Sequence, residues 1–148
     1  MNTITEAERD QKVKKAGLAV IGPETNAQIP DPEQAWKAVS NLEIRPSATI
    51  AEDADDALEQ VNQEWLTHAH DKKIINPDGS FLVSISAPGS FRLPWARVQL
   101  SPSIRLAQEL TAFPGQPEFV AMATDGSAAC GVTSEEDEYW VVCSILGE

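Results

Sequence analysis

The chain has 148 residues, 42% of them hydrophobic and 23% charged, with 11 basic and 23 acidic residues and a net charge of −12. That length fits a single domain over 1–148 with a core of its own, and the composition excludes a chain disordered throughout. The negative balance repels phosphate backbones and anionic lipid, so neither nucleic acid nor membrane is the expected partner; a protein with a basic surface is.

No apolar run approaches the ~20 residues of a bilayer-spanning helix. Met1–Asp10 lacks the basic-then-apolar order of a signal peptide. Two cysteines, Cys130 and Cys143, are too few to staple a fold, and beside an adequate core they point to a reducing cytoplasm.

Along the chain, Thr5-Glu-Ala-Glu8 has capping-box spacing and Gly17 suits a helix stop. Few apolar positions lie between them, which predicts an N-terminal helix over 1–17 that docks loosely. Leu18–Ile21 reads as a short strand and 22–30 as a loop. Asp31-Pro32 opens a second helix, with Asp as cap and Pro in the first turn; Trp36 and Val39 are its core contacts. Leu42–Arg45 reads as briefly extended, because Pro46 disfavours helix at Arg45. Thr49-Ile-Ala-Glu52 has the spacing of another capping box. Ala54, Leu58, Val61 and Trp65 then share one face of a period of about 3.6 residues, predicting a third helix that ends near His68.

The second half alternates instead. Asn76-Pro-Asp-Gly79 is a turn, and Phe81, Val83 and Ile85 face one side of a strand with Ser84 and Ser86 on the other. After a turn at 87–90, a strand from Phe91 is expected at a sheet edge or bulge, because Pro94 cannot donate to a ladder. Ser101-Pro102 predicts a fourth helix with an inner stripe of Leu106, Leu110 and Phe113, ended by Pro114-Gly115. Strands follow at 119–123, 128–133 and 139–145. The last is almost wholly apolar and is expected to lie centrally, covered on both faces. The expected class is α+β, with helices mainly in the N-terminal half and a mostly antiparallel C-terminal sheet carrying one inserted helix.

Local catalytic signatures are absent from the sequence: no phosphate-binding glycine loop, no dinucleotide fingerprint, no zinc-binding His-Glu-x-x-His and no nucleophile elbow. No cofactor, metal site or catalytic residue is expected. His68 and His70 diverge by about 200° on a helix, and their expected role is structural, at a helix C-terminus. Ser127 and Asp125 have no spacing that supports a triad with them. If Glu135–Glu138 form a four-residue hairpin loop, Ser134 faces Tyr139 and Cys130 faces Cys143. The thiols are then either two small core residues, which is the expectation, or a redox pair.

Two acidic clusters remain. The first is Glu52, Asp53, Asp55, Asp56 and Glu59, with Glu64 beyond, and no basic residue occurs from Ile50 to Leu66. The second is Glu135, Glu136, Asp137 and Glu138. Solvation accounts for both in the simplest reading, and acids in a helix's first turn also favour it by about 0.3–1 kcal/mol each. The functional reading is a docking surface of Asp55, Asp56, Glu59 and Glu135–Glu138. It pairs with arginine or lysine in place of phosphate and uses Tyr139 as an aromatic anchor.

The acidity, the size and the run Glu135-Glu-Asp-Glu-Tyr-Trp-Val-Val142 entering a final strand together resemble bacterial immunity proteins encoded beside polymorphic or type VI secreted toxins. The resemblance implies one-to-one binding of a cognate toxin whose basic active-site cleft is covered. A secretion chaperone or adaptor for an effector protein, which usually dimerises, is an alternative expectation. A small enzyme using Cys130, His68 or His70 is another.

Overall fold

Residues 3–41 and 43–146 are described by the computed structural model. Thr5 caps the first helix, α1 (Glu6–Lys15), through both halves of its capping box. Val13 and Ala16 are fully buried, and the Arg9 Nη1 donates to the Pro94 carbonyl at 2.7 Å. Gly17 turns the chain into β1 (Leu18–Pro23) at φ +89°. Asp31 caps α2 (Pro32–Val39) as its sequence predicts, and Trp36 and Val39 are buried.

Leu42 lies outside the described residues, and Glu43 and Ile44 form a turn and bend rather than an extended piece. The next element overturns an expectation. Thr49–Ala51 belongs to a strand, β2 (Ala48–Ala51), and the helix α3 (Ala57–Asp71) begins five residues after Glu52. Ile50 is buried opposite Tyr139, and that pairing outweighs the local capping pattern.

β3 (Ser80–Ile85) is buried along its whole length, so its serine face is also covered; the Trp36 indole donates to the Ser84 hydroxyl at 3.4 Å. Residues 90–92 form a single turn of 3₁₀ helix. The strand expected from Phe91 starts at Ala96 instead, as β4 (Ala96–Leu100), and it is interior, between β1 and β3. Pro94 precedes the ladder and therefore removes nothing from it. The expected fourth helix shrinks to one turn, α4 (Leu106–Glu109). Its intended first turn lies along the α1–β1 corner, where Ser101 Oγ donates to the Gly17 carbonyl and the Arg105 N–H to the Ala16 carbonyl at 2.7 Å. Its intended last turn becomes a small hairpin of β5 (Thr111–Phe113) and β6 (Gln116–Pro117), which leaves Phe113 67% exposed.

β7 (Phe119–Met122), β8 (Ala128–Ser134) and β9 (Glu138–Ile145) follow as antiparallel neighbours. The protein is α+β, with a seven-stranded antiparallel sheet ordered β1-β4-β3-β7-β8-β9-β2. β9 is one strand in from the edge rather than central, and its end is bare, Ile145 being 81% exposed. The two strands from the first half of the chain form the two edges. Each edge carries a device against further pairing: a register shift at Val20/Gly22 and Pro23 on β1, and carboxylates directly after β2.

Helices cover both faces. On one, α3 lays Val61, Trp65 and Ala69 over Phe81, Val83, Phe119, Ala121, Cys130 and Val141. On the other, α2 packs Ala35, Trp36 and Val39 against Leu82, Val120, Met122 and Val142. Gly131 sits directly under Val39, close enough that a Cβ there would press on the Val39 side chain.

Gly17 carries the tightest backbone approach. A Cβ on it would overlap the Ser103 carbonyl oxygen, and its left-handed φ adds a further penalty of about 1–2 kcal/mol for any other residue. Gly17→Ala is expected to lower stability by about 2–3 kcal/mol, read as a drop in urea midpoint with an unchanged slope. A midpoint within error of the parent would show that the α1–β1 corner is not packed in this way.

Candidate functional site

The pairing of β2 with β9 sets the geometry of the acidic residues. Ala51 faces Glu138, and beyond it the Glu52 N–H donates to the Asp137 carbonyl at 3.0 Å. The first acidic cluster therefore begins where the second one ends. Glu52, Asp53 and Asp137 line one surface cleft, and all three are exposed. Among the described residues, no ion pair involves Glu52, Asp53, Asp55, Asp56, Glu59 or any of Glu135–Glu138; the basic groups that do pair meet other acids.

The shifted start of α3 sorts these acids by what holds them. Asp56 is the helix N-cap, at φ 55° and without a side-chain cap bond, and Glu59 lies in the first turn. Both sit near the positive end of the helix dipole, which gives them a structural reason to be acidic. Asp55 adjoins them, its carbonyl accepting from the Gln60 Nε2 at 2.8 Å. Glu52 and Asp53 precede the helix and draw no comparable benefit from it. At the hairpin tip, Glu135 accepts from the Thr133 hydroxyl at 2.9 Å and Glu138 from the Trp140 indole at 2.7 Å, while Glu136 and Asp137 stay exposed. The acids left facing solvent without such a role are Glu52, Asp53, Glu136 and Asp137.

Tyr139 is not available as an aromatic anchor. It is 5% exposed, on the α3 side of the sheet, and its hydroxyl donates to the Gly115 carbonyl at 2.9 Å, tying the β5–β6 turn to the sheet. Burial, with the Glu52 carboxylate nearby, pushes its phenol above the usual value. Trp140 is half-buried against the α2-side core.

The histidines stay in the last turn of α3, with His68 Nε2 3.6 Å from Glu64 Oε1. Asp125 accepts from the Ser127 N–H at 2.9 Å, an ordinary turn contact; the Ser127 side chain, then this N–H, lowers its carboxyl pKa. Among the described residues, no three His, Cys, Asp or Glu side chains cluster tightly enough to hold a metal ion, and no helix is long and apolar enough to cross a membrane.

A second surface was not anticipated from the sequence. Trp36, Phe91, Arg92, Phe113 and Glu118 line a cleft on which Phe91 is 48% and Phe113 67% exposed. It was hidden because Phe113 fits the stripe of the expected fourth helix; the Pro114-Gly115 turn fits a tight hairpin equally well. Glu118 is half-buried there, and desolvation, followed by the Glu135 carboxylate, raises its carboxyl pKa. No protein-family model, characterised protein or solved structure matches this chain.

Glu118 gives a test of this geometry. A carboxyl raised in the fold disfavours folding once it ionises, so the protein loses stability as pH rises from the unfolded value of about 4.3 through the folded one. Glu118→Gln escapes that loss. It is expected to be the more stable protein at pH 7, by less than about 1 kcal/mol after solvent screening, with the advantage fading below about pH 4. A constant difference across pH, measured by urea unfolding, would contradict it.

Proposed function

We propose that the protein is a cytoplasmic immunity protein, which binds a cognate bacterial toxin and covers its basic active-site cleft. The observation that carries this reading is the convergence of Glu52, Asp53 and Asp137 where β2 meets β9, exposed and without ion pairs among the described residues. Clustered carboxylates repel one another and contribute nothing to packing, and a basic partner surface would relieve that repulsion. Arginines that normally receive phosphate accept such carboxylates bidentately. A complementary field also speeds the encounter and rejects acidic partners. Placement directly after a short edge strand and at the tip of the β8–β9 hairpin, with the Glu52 N–H held by the Asp137 carbonyl, keeps the groups preorganised, which lowers the entropy lost on binding.

A chaperone or adaptor reading draws on a different observation, the cleft with exposed Phe91 and Phe113, which suits an apolar segment of a client.

The deciding experiment is a tagged pull-down from the native host at low and high salt, read by mass spectrometry and followed by kinetics on the partner found. The immunity reading expects one stoichiometric partner carrying a toxin domain. Glu52→Lys with Asp53→Lys and Asp137→Lys is expected to slow association about tenfold or more at low salt, with the gap closing at high salt. Equal association rates for the two proteins at every ionic strength would exclude the acidic edge. Several secreted clients, released by Phe113→Ser instead, would establish the chaperone reading.

A further inference from the structure

Cys130 and Cys143 face each other across β8 and β9, as the hairpin length predicts, and the ladder shows which kind of pair they form. The Glu135 N–H donates to the Glu138 carbonyl at 2.8 Å, and the Leu146 N–H to the Ser127 carbonyl at 2.9 Å. Bonded pairs alternate along an antiparallel ladder, so odd-numbered residues of β8 bond to β9 and Cys130 does not. The other side of β8 agrees. There the Ala123 N–H donates to the Ala128 carbonyl at 3.0 Å, which puts Cys130 in a bonded pair with Ala121.

Cys130–Cys143 is therefore a non-hydrogen-bonded pair, in which facing Cα atoms approach to about 4.5 Å. That is within the roughly 4.4–6.8 Å that a disulfide spans. The Sγ atoms lie 2.9 Å apart. Cys130 is sealed beneath α3 in the core, whereas Cys143 is only partly buried. Cys130 has no exposed surface, and of the two residues only Cys143 retains any.

We propose that this pair is a peroxide-sensitive modification site, with Cys143 as the attacking sulfur and Cys130 as the resolving one. The local fields agree with that division. The adjoining Cys130 thiol, then the Ser47 side chain and the Lys72 ammonium, lower the Cys143 pKa against desolvation and the Asp71 carboxylate. The same contact, then burial, raises that of Cys130. Lower pKa and access together select the reactive cysteine of a pair. The Cys143 thiolate attacks one oxygen of hydrogen peroxide; the O–O bond breaks, hydroxide leaves, and Cys143 becomes a sulfenic acid. The Cys130 sulfur then attacks the Cys143 sulfur; the S–O bond breaks and the Cys130 proton departs with the oxygen as water. Two thiols are oxidised, one peroxide is reduced, and a covalent tie joins β8 to β9. This inference does not depend on the proposed function.

The test uses the full chain, folded, treated with hydrogen peroxide. The wild type is expected to lose both titratable thiols and the mass of two hydrogens, to give a peptide linking Cys130 with Cys143, and to recover both thiols with dithiothreitol. Cys130→Ala is expected to stop at a sulfenic acid on Cys143 that dimedone traps. Cys143→Ala is expected to react about tenfold or more slowly. The wild-type peptide map stands even if a variant folds poorly. Two titratable thiols after treatment, or a dimedone adduct on wild-type Cys143 with no linked peptide, would overturn the proposal.

Discussion

The position of α3 depends on Trp65. Its indole N–H donates to the Cys130 carbonyl at 3.2 Å, and its ring sits 5.5 Å from Phe81 and 5.8 Å from Phe119 by centroid distance. Burying an indole without a partner for its N–H is unfavourable, so this bond fixes where along β8 the helix can rest. Once that point is set, the two ends of the helix are set as well. Its N-terminus falls beside the β2–β9 corner with its acids, and its C-terminus falls near Cys143, where Lys72 and Asp71 act on the thiol.

The sheet imposes the second constraint. Its interior strands all come from the second half of the chain, and its two edges come from the first half. β2 is thus held by a single neighbour, β9, and its free side faces outward. Glu52 and Asp53 follow immediately, and charge at an edge discourages another strand from pairing there. The same carboxylates, joined by Asp137, form the surface proposed to bind a partner. The protection of the edge and the proposed docking surface share Glu52 and Asp53, so the proposal adds a second reason for their acidity.

What the sequence made legible was local, or followed from a short loop. The caps at Thr5 and Asp31 read correctly because each cap and its partner lie within one turn. The Cys130–Cys143 alignment read correctly because a tight hairpin tip leaves one register for the strands that leave it. Thr49-Ile-Ala-Glu52 misled for the converse reason. Its spacing suits a cap, but Thr and Ile also suit a strand, and the partner that decides lies far along the chain. Leu106, Leu110 and Phe113 misled similarly: a stripe of suitable period cannot show that neighbouring carbonyls at Ala16 and Gly17 capture the backbone first. At the acidic surface, residue type was legible and grouping was not. Asp56 and Glu59 turned out to serve the helix, Tyr139 turned inward, and Glu52 and Asp53 came to the fore only when β2 was seen beside β9.

That pairing also shapes how the chain folds as it is made. Thr49 of β2 faces Trp140 of β9, so an emerging chain carries β2 for roughly 90 residues before its only sheet neighbour exists. At about 5–20 residues per second on the ribosome, that interval lasts roughly 5–20 s. Ile50, buried in the finished fold, lacks its facing residue Tyr139 for that whole interval. Charge directly after an unpaired strand disfavours its pairing with another chain, so Glu52 and Asp53 have a use in the emerging chain that does not depend on the finished sheet.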